Sequence, residues 1–345
     1  MRTAPGCKSA FAPFSRRQAI LTGAGLLAAA TAGGCKAHAA RADDATGNIP
    51  TRQLGAITGN SLNDMKRFSQ WLGKAQNHDL LYFNQENWQS LEQSVPYIIS
   101  LGASVLAQGR NVQWSIPAGG ARAYAEIANG GRDGLYQDIA RRIEAIYSQS
   151  SQRVCVRLFW EFNLPEQTLA ARGADGSWHP ELYVAAYRRV ASILRKQSNR
   201  FYFDWCPNIG AGGLPPDRCY PGDELVDVVS VDVYYRRIYD RGDRHDAGSG
   251  IFEYRRTQPF GLDWLTGFAS GHGKLVGISE WGVDDNEGTV FMQRMCAWIK
   301  GLGDLLSHHN YWDRDDGGVV SRLSTGQLPA IAQIYREAFG SASAT

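Results

Sequence analysis

The sequence predicts a single (β/α)8 barrel, and three observations support this fold. Eight short apolar stretches typical of buried strands alternate with stretches that have the periodicity of amphipathic helices. The alternation continues for roughly 290 residues, a typical length for such a barrel. No internal linker interrupts it. A chain that repeats strand then helix without a break is expected to close one parallel barrel.

The eight expected strands are bounded by turn-forming or polar residues. In chain order they are Leu54–Thr58, Leu80–Asn84, a third that begins at Val105 or Val112 and ends at Pro117, Val154–Glu161, Phe201–Pro207, Val226–Tyr234, Leu275–Glu280 and Leu305–Trp312. Helices are expected between them, among others at Gly134–Gln149, Pro180–Gln197 and Thr289–Leu302. A long loop is expected over Tyr235–Leu262, which is rich in Arg, Asp and Gly.

The helix expected at Gly134–Gln149 illustrates the helical pattern. Leu135, Ile139, Ile143 and Ile146 recur at spacings of four and three, so one face of this helix is apolar. Such a face would pack on the outside of the barrel strands.

The N-terminal residues 1–40 have the features of an export signal. Ser15-Arg16-Arg17 matches a twin-arginine motif, and the apolar, alanine-rich run from Ala19 to Ala32 follows it. Two processing outcomes remain open, lipidation at Cys35 or cleavage after Ala39. Residues 41–52 are expected to form a tether, and residues 53–340 the barrel domain. The protein is expected to be exported and then periplasmic, lipid-anchored or secreted.

Charge and cysteine usage exclude several classes of protein. The formal charge of +2 includes four basic and no acidic residues within 1–34, so the rest of the chain carries −2. This near-neutral body argues against nucleic-acid binding, and contact with a membrane is expected only through Cys35. Of the six cysteines, Cys7 and Cys35 lie in the leader, and the other four have no zinc-site spacing: Cys155, Cys206, Cys219 and Cys296. A Cys206–Cys219 disulfide and buried free thiols both remain open, and no metal or cofactor is expected.

Two glutamates carry the functional prediction. Glu161 and Glu280 each end an apolar strand-like run, on strands far apart in the sequence. Parallel barrels place their active sites at the C-terminal ends of the strands. A pair of carboxyl groups there is what glycosidic-bond cleavage requires, one as proton donor and one as nucleophile or base.

Strand alternation predicts the face of the fourth strand on which the Glu161 side chain lies. Cys155, Arg157, Phe159 and Glu161 are expected on one face of the fourth strand, which places Arg157 below Glu161 inside the barrel. A buried guanidinium needs a carboxylate partner, which Glu280 or Asp232 can supply. The alternative is that Glu161 and Arg157 form a purely structural ion pair.

Five motifs follow one another in register with strands four to eight. They are Arg-x-x-x-Glu-x-Asn at 157–163, Trp-Cys-Pro-Asn at 205–208, Val-Asp-Val-Tyr at 231–234, Ile-Ser-Glu-Trp-Gly at 278–282 and Tyr-Trp-Asp-Arg at 311–314. Together they resemble glycoside hydrolase family 26, a β-mannanase family of the large retaining (β/α)8 clan. The resemblance extends from about Gln53 to Phe339.

The resemblance implies a role for each matching residue. Glu161 would be the acid/base and Glu280 the nucleophile; Tyr234 would hydrogen-bond the nucleophile, and Asp232 would support that arrangement. Trp312 would form the floor under the sugar at the cleavage point. The remaining expected substrate-binding residues are Arg157, Trp160, Asn163, Asn208 and Trp281. Trp160 stands where the family usually has a histidine that contacts sugar, which weakens the assignment to mannan.

The expected function is therefore retaining endo-hydrolysis of a β-linked polysaccharide by a monomer. β-Mannan is the leading substrate, with xylan, β-1,3- or mixed-linkage glucan and exopolysaccharide as alternatives. Trp88, Trp114, Trp160, Trp281 and Trp312 are all expected near strand ends, where their rings can stack on sugars. Two other classes remain open: an inactive barrel that binds carbohydrate or assembles exopolysaccharide, and a polysaccharide lyase or transglycosylase.

Overall fold

The computed structural model describes residues 48–237 and 246–341. They form one closed barrel of eight parallel strands in the order β1 to β8, in which β8 pairs with β1. The predicted fold class is thus confirmed. The strands are β1 Gln53–Ile57, β2 His78–Tyr82, β3 Asn111–Ile116, β4 Val154–Leu158, β5 Phe201–Trp205, β6 Val228–Tyr235, β7 Leu275–Val283 and β8 Leu306–Trp312.

Helices connect the strands and cover the outside of the barrel. They are α1 Leu62–Leu72, α2 Trp88–Leu106, α3 Tyr124–Ala128, α4 Asp133–Ile146, α5 Pro180–Gln197, α6 Ser249–Thr257, α7 Leu262–Gly271, α8 Thr289–Gly301 and α9 Pro329–Phe339. A short hairpin follows β8, and each of its two strands has two residues: β9 Asp315–Asp316 and β10 Val319–Val320. Within the described part of the chain, no helix combines the length and hydropathy that a membrane span requires.

Local sequence explains where several helices begin and end. The Ser61 side chain accepts a hydrogen bond from the Asp64 N–H at the start of α1, and Gly73 ends this helix in the left-handed conformation. The Asn87 side chain caps α2 in the same way. Pro180 occupies the first turn of α5, where its missing N–H costs no helical hydrogen bond.

The apolar core lies between the barrel and its helices. Trp114 on β3 is fully buried and stacks on Phe83 at a centroid distance of 6.0 Å. Gly102 on α2 allows the helix to approach this ring, because a Cβ there would lie 2.2 Å from an indole carbon. Trp114 therefore cannot stack on a sugar, and that part of the sequence prediction is wrong.

The barrel interior beneath the mouth is polar. Asp204 of β5 accepts hydrogen bonds from the hydroxyls of Ser230 and Ser279, each at 2.5 Å, and from the Gln113 amide at 2.8 Å. The Ser279 hydroxyl also lies 2.9 Å from a ring nitrogen of His308. These side chains come from five different strands, so hydrogen bonds tie the strands together from the inside.

The structure corrects the expectations for β4, for Phe159 and for the stretch after β6, and it decides between the two alternatives left open for the cysteines. β4 ends at Leu158, three residues before Glu161, because Phe159 adopts a positive φ. Phe159 consequently leaves the inner face and packs among outer tyrosines, including Tyr124. The stretch expected to be a loop at Tyr235–Leu262 contains α6. The four cysteines of the described residues are buried free thiols, so Cys206 and Cys219 form no disulfide.

Some predictions fall outside the described residues. They concern the leader at 1–40, Cys35, most of the tether at 41–52, and residues 238–245 of the arginine-rich stretch.

Candidate active site

A β-bulge places Glu280 at the mouth of the barrel. The pairing of β6 with β7 shifts between Val231↔Ile278 and Asp232↔Glu280, so Ser279 has no partner on β6. Ser279 and Glu280 then both face inward, since Ser279 bonds Asp204 while Glu280 bonds residues at the mouth. Bulges re-aim side chains in this way next to active sites.

Three donors hold the Glu280 carboxylate. Arg157 Nη1 lies 2.7 Å and the Tyr82 hydroxyl 2.9 Å from Oε1, and the Tyr234 hydroxyl lies 2.7 Å from Oε2. Burial raises the pKa of both tyrosines well above the usual value, and the nearby Glu280 charge raises it further. Both phenols therefore stay neutral and act as hydrogen-bond donors to Glu280.

Arg157 is fully buried beneath the mouth and bridges two carboxylates. One guanidinium nitrogen bonds Glu280 and another bonds Asp232. Burial opposes the charge, but the Asp232 and Glu280 carboxylates outweigh it and raise the pKa of Arg157 well above its usual range. Asp232 also accepts from the Cys206 thiol at 3.2 Å. The cation is thus permanent and held in place.

Glu161 follows the end of β4 and adopts a positive φ of 51°, uncommon for a residue other than glycine. Its backbone N–H donates to the carbonyl of Cys206 at 2.9 Å, which fixes this conformation. The Asn208 amide donates to Oε1 at 2.6 Å, and the Gln167 amide donates to Oε2 at 2.5 Å.

Burial and the charge of Glu280 raise the pKa of Glu161 to about 7, although the Asn208 amide and Arg157 act in the opposite direction. At mildly acidic to neutral pH a large fraction of Glu161 carries a proton. The two carboxyl groups at the mouth therefore differ: one is surrounded by donors that include a cation, and the other retains its proton. Such divergence is the pattern of an acid and nucleophile pair.

Three of the residues predicted to bind substrate lie too deep to do so. Arg157, Asp232 and Asn163 have no exposed surface. The Asn163 side-chain NH2 donates to the backbone carbonyl oxygens of Asn208 and Gly210. Its Oδ1 accepts from the Asn208 backbone N–H at 2.8 Å. These residues instead position Glu280 and Asn208.

The tryptophans divide into two groups. The Trp160 ring lies over the Arg157 guanidinium at 5.0 Å and contacts Tyr82 at 5.5 Å, and the Trp312 ring meets Tyr234 edge to face at 6.2 Å. Both therefore belong to the mouth. Trp281 points the opposite way, fully buried, and packs at 5.8 Å from Tyr335 of α9.

The prediction that Trp281 contacts substrate is therefore wrong. The bulge places Glu280 on the inner face, and the residue that follows it points outward. Trp88, also expected near a strand end, is half-buried, donates to Glu126 at 2.8 Å and lies under Arg132 at 4.5 Å.

Two residues at the site, Tyr82 and Gln167, were not predicted from the sequence. Tyr82 ends β2 on the inner face, and an aromatic hydroxyl at an inward strand end was a signal that could have identified it. Gln167 lies in an irregular segment after β4, where strand periodicity gives no information. Within residues 48–237 and 246–341 no group of three or more His, Cys, Asp or Glu side chains is arranged to hold a metal ion.

Comparison with solved structures finds the same barrel in family 26 enzymes. The catalytic domain of a GH26 endo-β-1,4-mannanase from Bacillus sp. JAMB-750 is 16% identical, with a TM-score of 0.54 over 84% of this chain and 86% of that one. A Bacillus subtilis mannanase is 16% identical, with a TM-score of 0.57 over 85% of this chain and 86% of that one. A GH26 β-mannanase from Bacteroides ovatus is 15% identical, with a TM-score of 0.51 over 83% and 88%.

No protein-family model and no curated protein sequence matches the chain. At identities this low the likeness shows a shared fold. The resemblance that the five sequence motifs indicated is thus confirmed for the fold.

The raised pKa of Glu161 predicts a specific pH dependence of stability. Because the folded-state pKa of about 7 exceeds the ordinary value of 4.5, the native state binds more protons, and the free energy of unfolding falls as pH rises from about 5 to about 7. The loss amounts to about 3 kcal/mol at most. Glu161→Gln removes this titration. We expect the variant to gain stability relative to the wild type between pH 5 and pH 8, measured by urea denaturation.

Glu337→Gln provides the matched control, because Glu337 is an exposed glutamate on α9. Its stability should follow the wild type at every pH. Parallel pH curves for the wild type and Glu161→Gln would show that Glu161 titrates normally.

Proposed function

We propose that this protein is an exported, retaining, endo-acting glycoside hydrolase that cleaves a β-linked polysaccharide. The observation that carries the proposal is the unequal pair of buried glutamates at the C-terminal mouth of the barrel. Glu280 accepts from Arg157, Tyr82 and Tyr234, whereas the pKa of Glu161 is raised to about 7. The shared fold with family 26 mannanases supports the same reaction class.

In the first half-reaction Glu280 is the nucleophile. A carboxylate oxygen attacks the anomeric carbon while the bond to the glycosidic oxygen breaks, and protonated Glu161 donates its proton to that oxygen. The products are a glycosyl ester on Glu280 and a free alcohol on the departing chain. Arg157 and the two phenols hold the carboxylate in position, so little reorganisation is needed in the transition state.

In the second half-reaction the deprotonated Glu161 acts as base. It takes a proton from a water molecule whose oxygen attacks the same carbon, and the ester bond to Glu280 breaks. Two inversions leave the configuration at the anomeric carbon unchanged. We expect the Trp312 ring, which contacts Tyr234, to pack against the apolar face of the sugar being cleaved.

Replacing either glutamate tests these roles. Glu280→Ala and Glu161→Ala should each lower kcat by several orders of magnitude while the protein stays folded, because the chemistry and not the core is removed. On a dinitrophenyl glycoside, whose leaving group departs without a proton, added azide should restore turnover with opposite outcomes: an azide product of inverted configuration from Glu280→Ala and of retained configuration from Glu161→Ala. In the wild type, activity should fall as pH rises through about 7, where Glu161 loses its proton.

The control is again Glu337→Gln, which should keep full activity. Folding is checked by circular dichroism and thermal denaturation. Either alanine variant retaining wild-type turnover would contradict the two-carboxylate mechanism.

We propose β-mannan as the substrate, because the neighbours with the same barrel are described as β-mannanases. Trp160 introduces a difference. It stands where the resemblance leads one to expect a sugar-binding histidine, and its ring is almost entirely buried against Arg157 and Tyr82. Xylan, β-1,3- or mixed-linkage glucan and exopolysaccharide are therefore the comparison substrates.

A panel of polymers tests the substrate. The purified barrel is incubated with mannan, xylan, lichenan, laminarin and the producer's own exopolysaccharide, and reducing ends and product masses are measured. We expect new reducing ends and a ladder of oligosaccharides from mannan. Cleavage of another polymer with mannan untouched would overturn the substrate assignment and preserve the mechanism. Measurable binding without any cleavage would favour a carbohydrate-binding barrel, and unsaturated ends would indicate a lyase.

We also propose export through a twin-arginine route, supported by Ser15-Arg16-Arg17 and the apolar run after it. The double variant Arg16→Lys with Arg17→Lys should leave precursor in the cytoplasm, detected by fractionation and immunoblotting. Cys35→Ala tests the lipid anchor, since it should release the protein from membranes if Cys35 is lipidated. Normal export of the double lysine variant would show that the arginine pair plays no part.

A further inference from the structure

The two oxygens of the Glu161 carboxyl group are held by amides of very different rigidity. Asn208 donates to Oε1 and Gln167 donates to Oε2. The Asn208 backbone N–H donates to Asn163, and the Asn163 amide donates back to the Asn208 carbonyl oxygen, so Asn208 is fixed through its main chain. Asn163 itself has no exposed surface.

Gln167 has no comparable support. It lies in the irregular segment between β4 and α5 and is half-buried, and its side chain has no hydrogen-bond partner other than Glu161 among the described residues. Its backbone takes part in two turn bonds, with Leu164 and Ala170. The side chain can therefore turn away from Glu161 without breaking any other side-chain bond.

A proton donor must present one oxygen to the glycosidic oxygen of the substrate. Oε1 is committed to the fixed Asn208, so Oε2 is the oxygen that delivers the proton. The Gln167 amide occupies hydrogen-bonding distance of Oε2, where the glycosidic oxygen has to come. A substrate must displace this amide. The displaced amide then lies on the leaving-group side, because Glu161 protonates the oxygen of the leaving group.

We propose that Gln167 is a displaceable amide that leaves Glu161 when substrate binds and then hydrogen-bonds the sugar of the leaving group. This inference rests on the proposed hydrolase function and adds a specificity residue to it. An amide suits both states, because its NH2 donates to a carboxylate or a hydroxyl and its carbonyl oxygen accepts from a hydroxyl. In the bond-breaking step Glu161 Oε2 gives its proton to the glycosidic oxygen, a Glu280 oxygen bonds the anomeric carbon as the glycosidic bond breaks, and the departing sugar keeps the proton as a hydroxyl.

Three substrates with the same sugar on the glycone side separate this role from a structural one. An oligosaccharide needs both protonation and a leaving-group sugar. A simple alkyl glycoside needs protonation but offers no sugar hydroxyls on that side. A dinitrophenyl glycoside needs neither, since its leaving group departs as a stable anion. We expect Gln167→Ala to lower kcat/KM for the oligosaccharide by about tenfold or more, with at most about a twofold change for the other two.

A second readout is the alkaline limb of kcat/KM against pH for the oligosaccharide. Gln167→Ala removes a donor that stabilises the Glu161 carboxylate, so the limb should move to higher pH. Gln167→Glu keeps the length but replaces the donor by a second carboxyl group, and should move the limb further in the same direction. Thr168→Ala, the adjacent position, is the control and should leave all three substrates and the limb unchanged.

Equal losses on the oligosaccharide and the alkyl glycoside would overturn the inference, because they would show that Gln167 only holds Glu161 in place. No loss on any substrate would overturn it as well. In both cases the wild type remains a hydrolase. A wild type inactive on all three substrates and on every polymer would overturn the proposed function, and this inference with it.

Discussion

The buried charge of Arg157 is the constraint on which the rest of the site depends. A guanidinium without solvent contact is stable only if carboxylates surround it, and Asp232 and Glu280 supply them from β6 and β7. Through these two bonds one side chain of β4 ties three strands together beneath the mouth. The Trp160 ring lies against the guanidinium at 5.0 Å, and Arg157 has no exposed surface. The position of Glu280 is therefore a consequence of how the cation is neutralised.

Both glutamates of the candidate site are presented by irregular backbone. Glu280 follows a bulge in β7, and Glu161 adopts a left-handed conformation two residues after Phe159 does the same. A left-handed residue other than glycine costs roughly 1–2 kcal/mol, so surrounding contacts must hold it. The bond from the Glu161 N–H to the Cys206 carbonyl is one such contact. Strain of this kind is characteristic of functional sites in an otherwise regular fold.

The polar barrel interior supports this arrangement from below. Asp204, with its serine, glutamine and histidine partners, occupies space that bulky aliphatic residues fill in many barrels. Burial opposes the ionised form of Asp204, but hydrogen bonds and the interaction with His308 prevail and lower its pKa. Ser279 belongs to this network and directly precedes Glu280. The interior network and the bulge thus fix the same segment of β7, at Ser279 and Glu280.

Sequence periodicity alone was sufficient to predict the barrel, because strand and helix periods are local properties that survive without knowledge of contacts. A carboxylate at the end of an apolar run also singled out Glu161 and Glu280, and the structure brings both to the mouth of the barrel. Periodicity did not predict the bulge at Ser279 or the early end of β4 at Leu158. Alternation along a regular strand was the only guide for β4, so the expected direction of Phe159 was wrong. Trp281 was assigned to substrate from its position near a strand end, and the structure buries it behind the barrel wall. The contact between Gln167 and Glu161 and the burial of Asn163 were decided by tertiary packing. The path of an irregular segment depends on distant residues that it contacts in the fold.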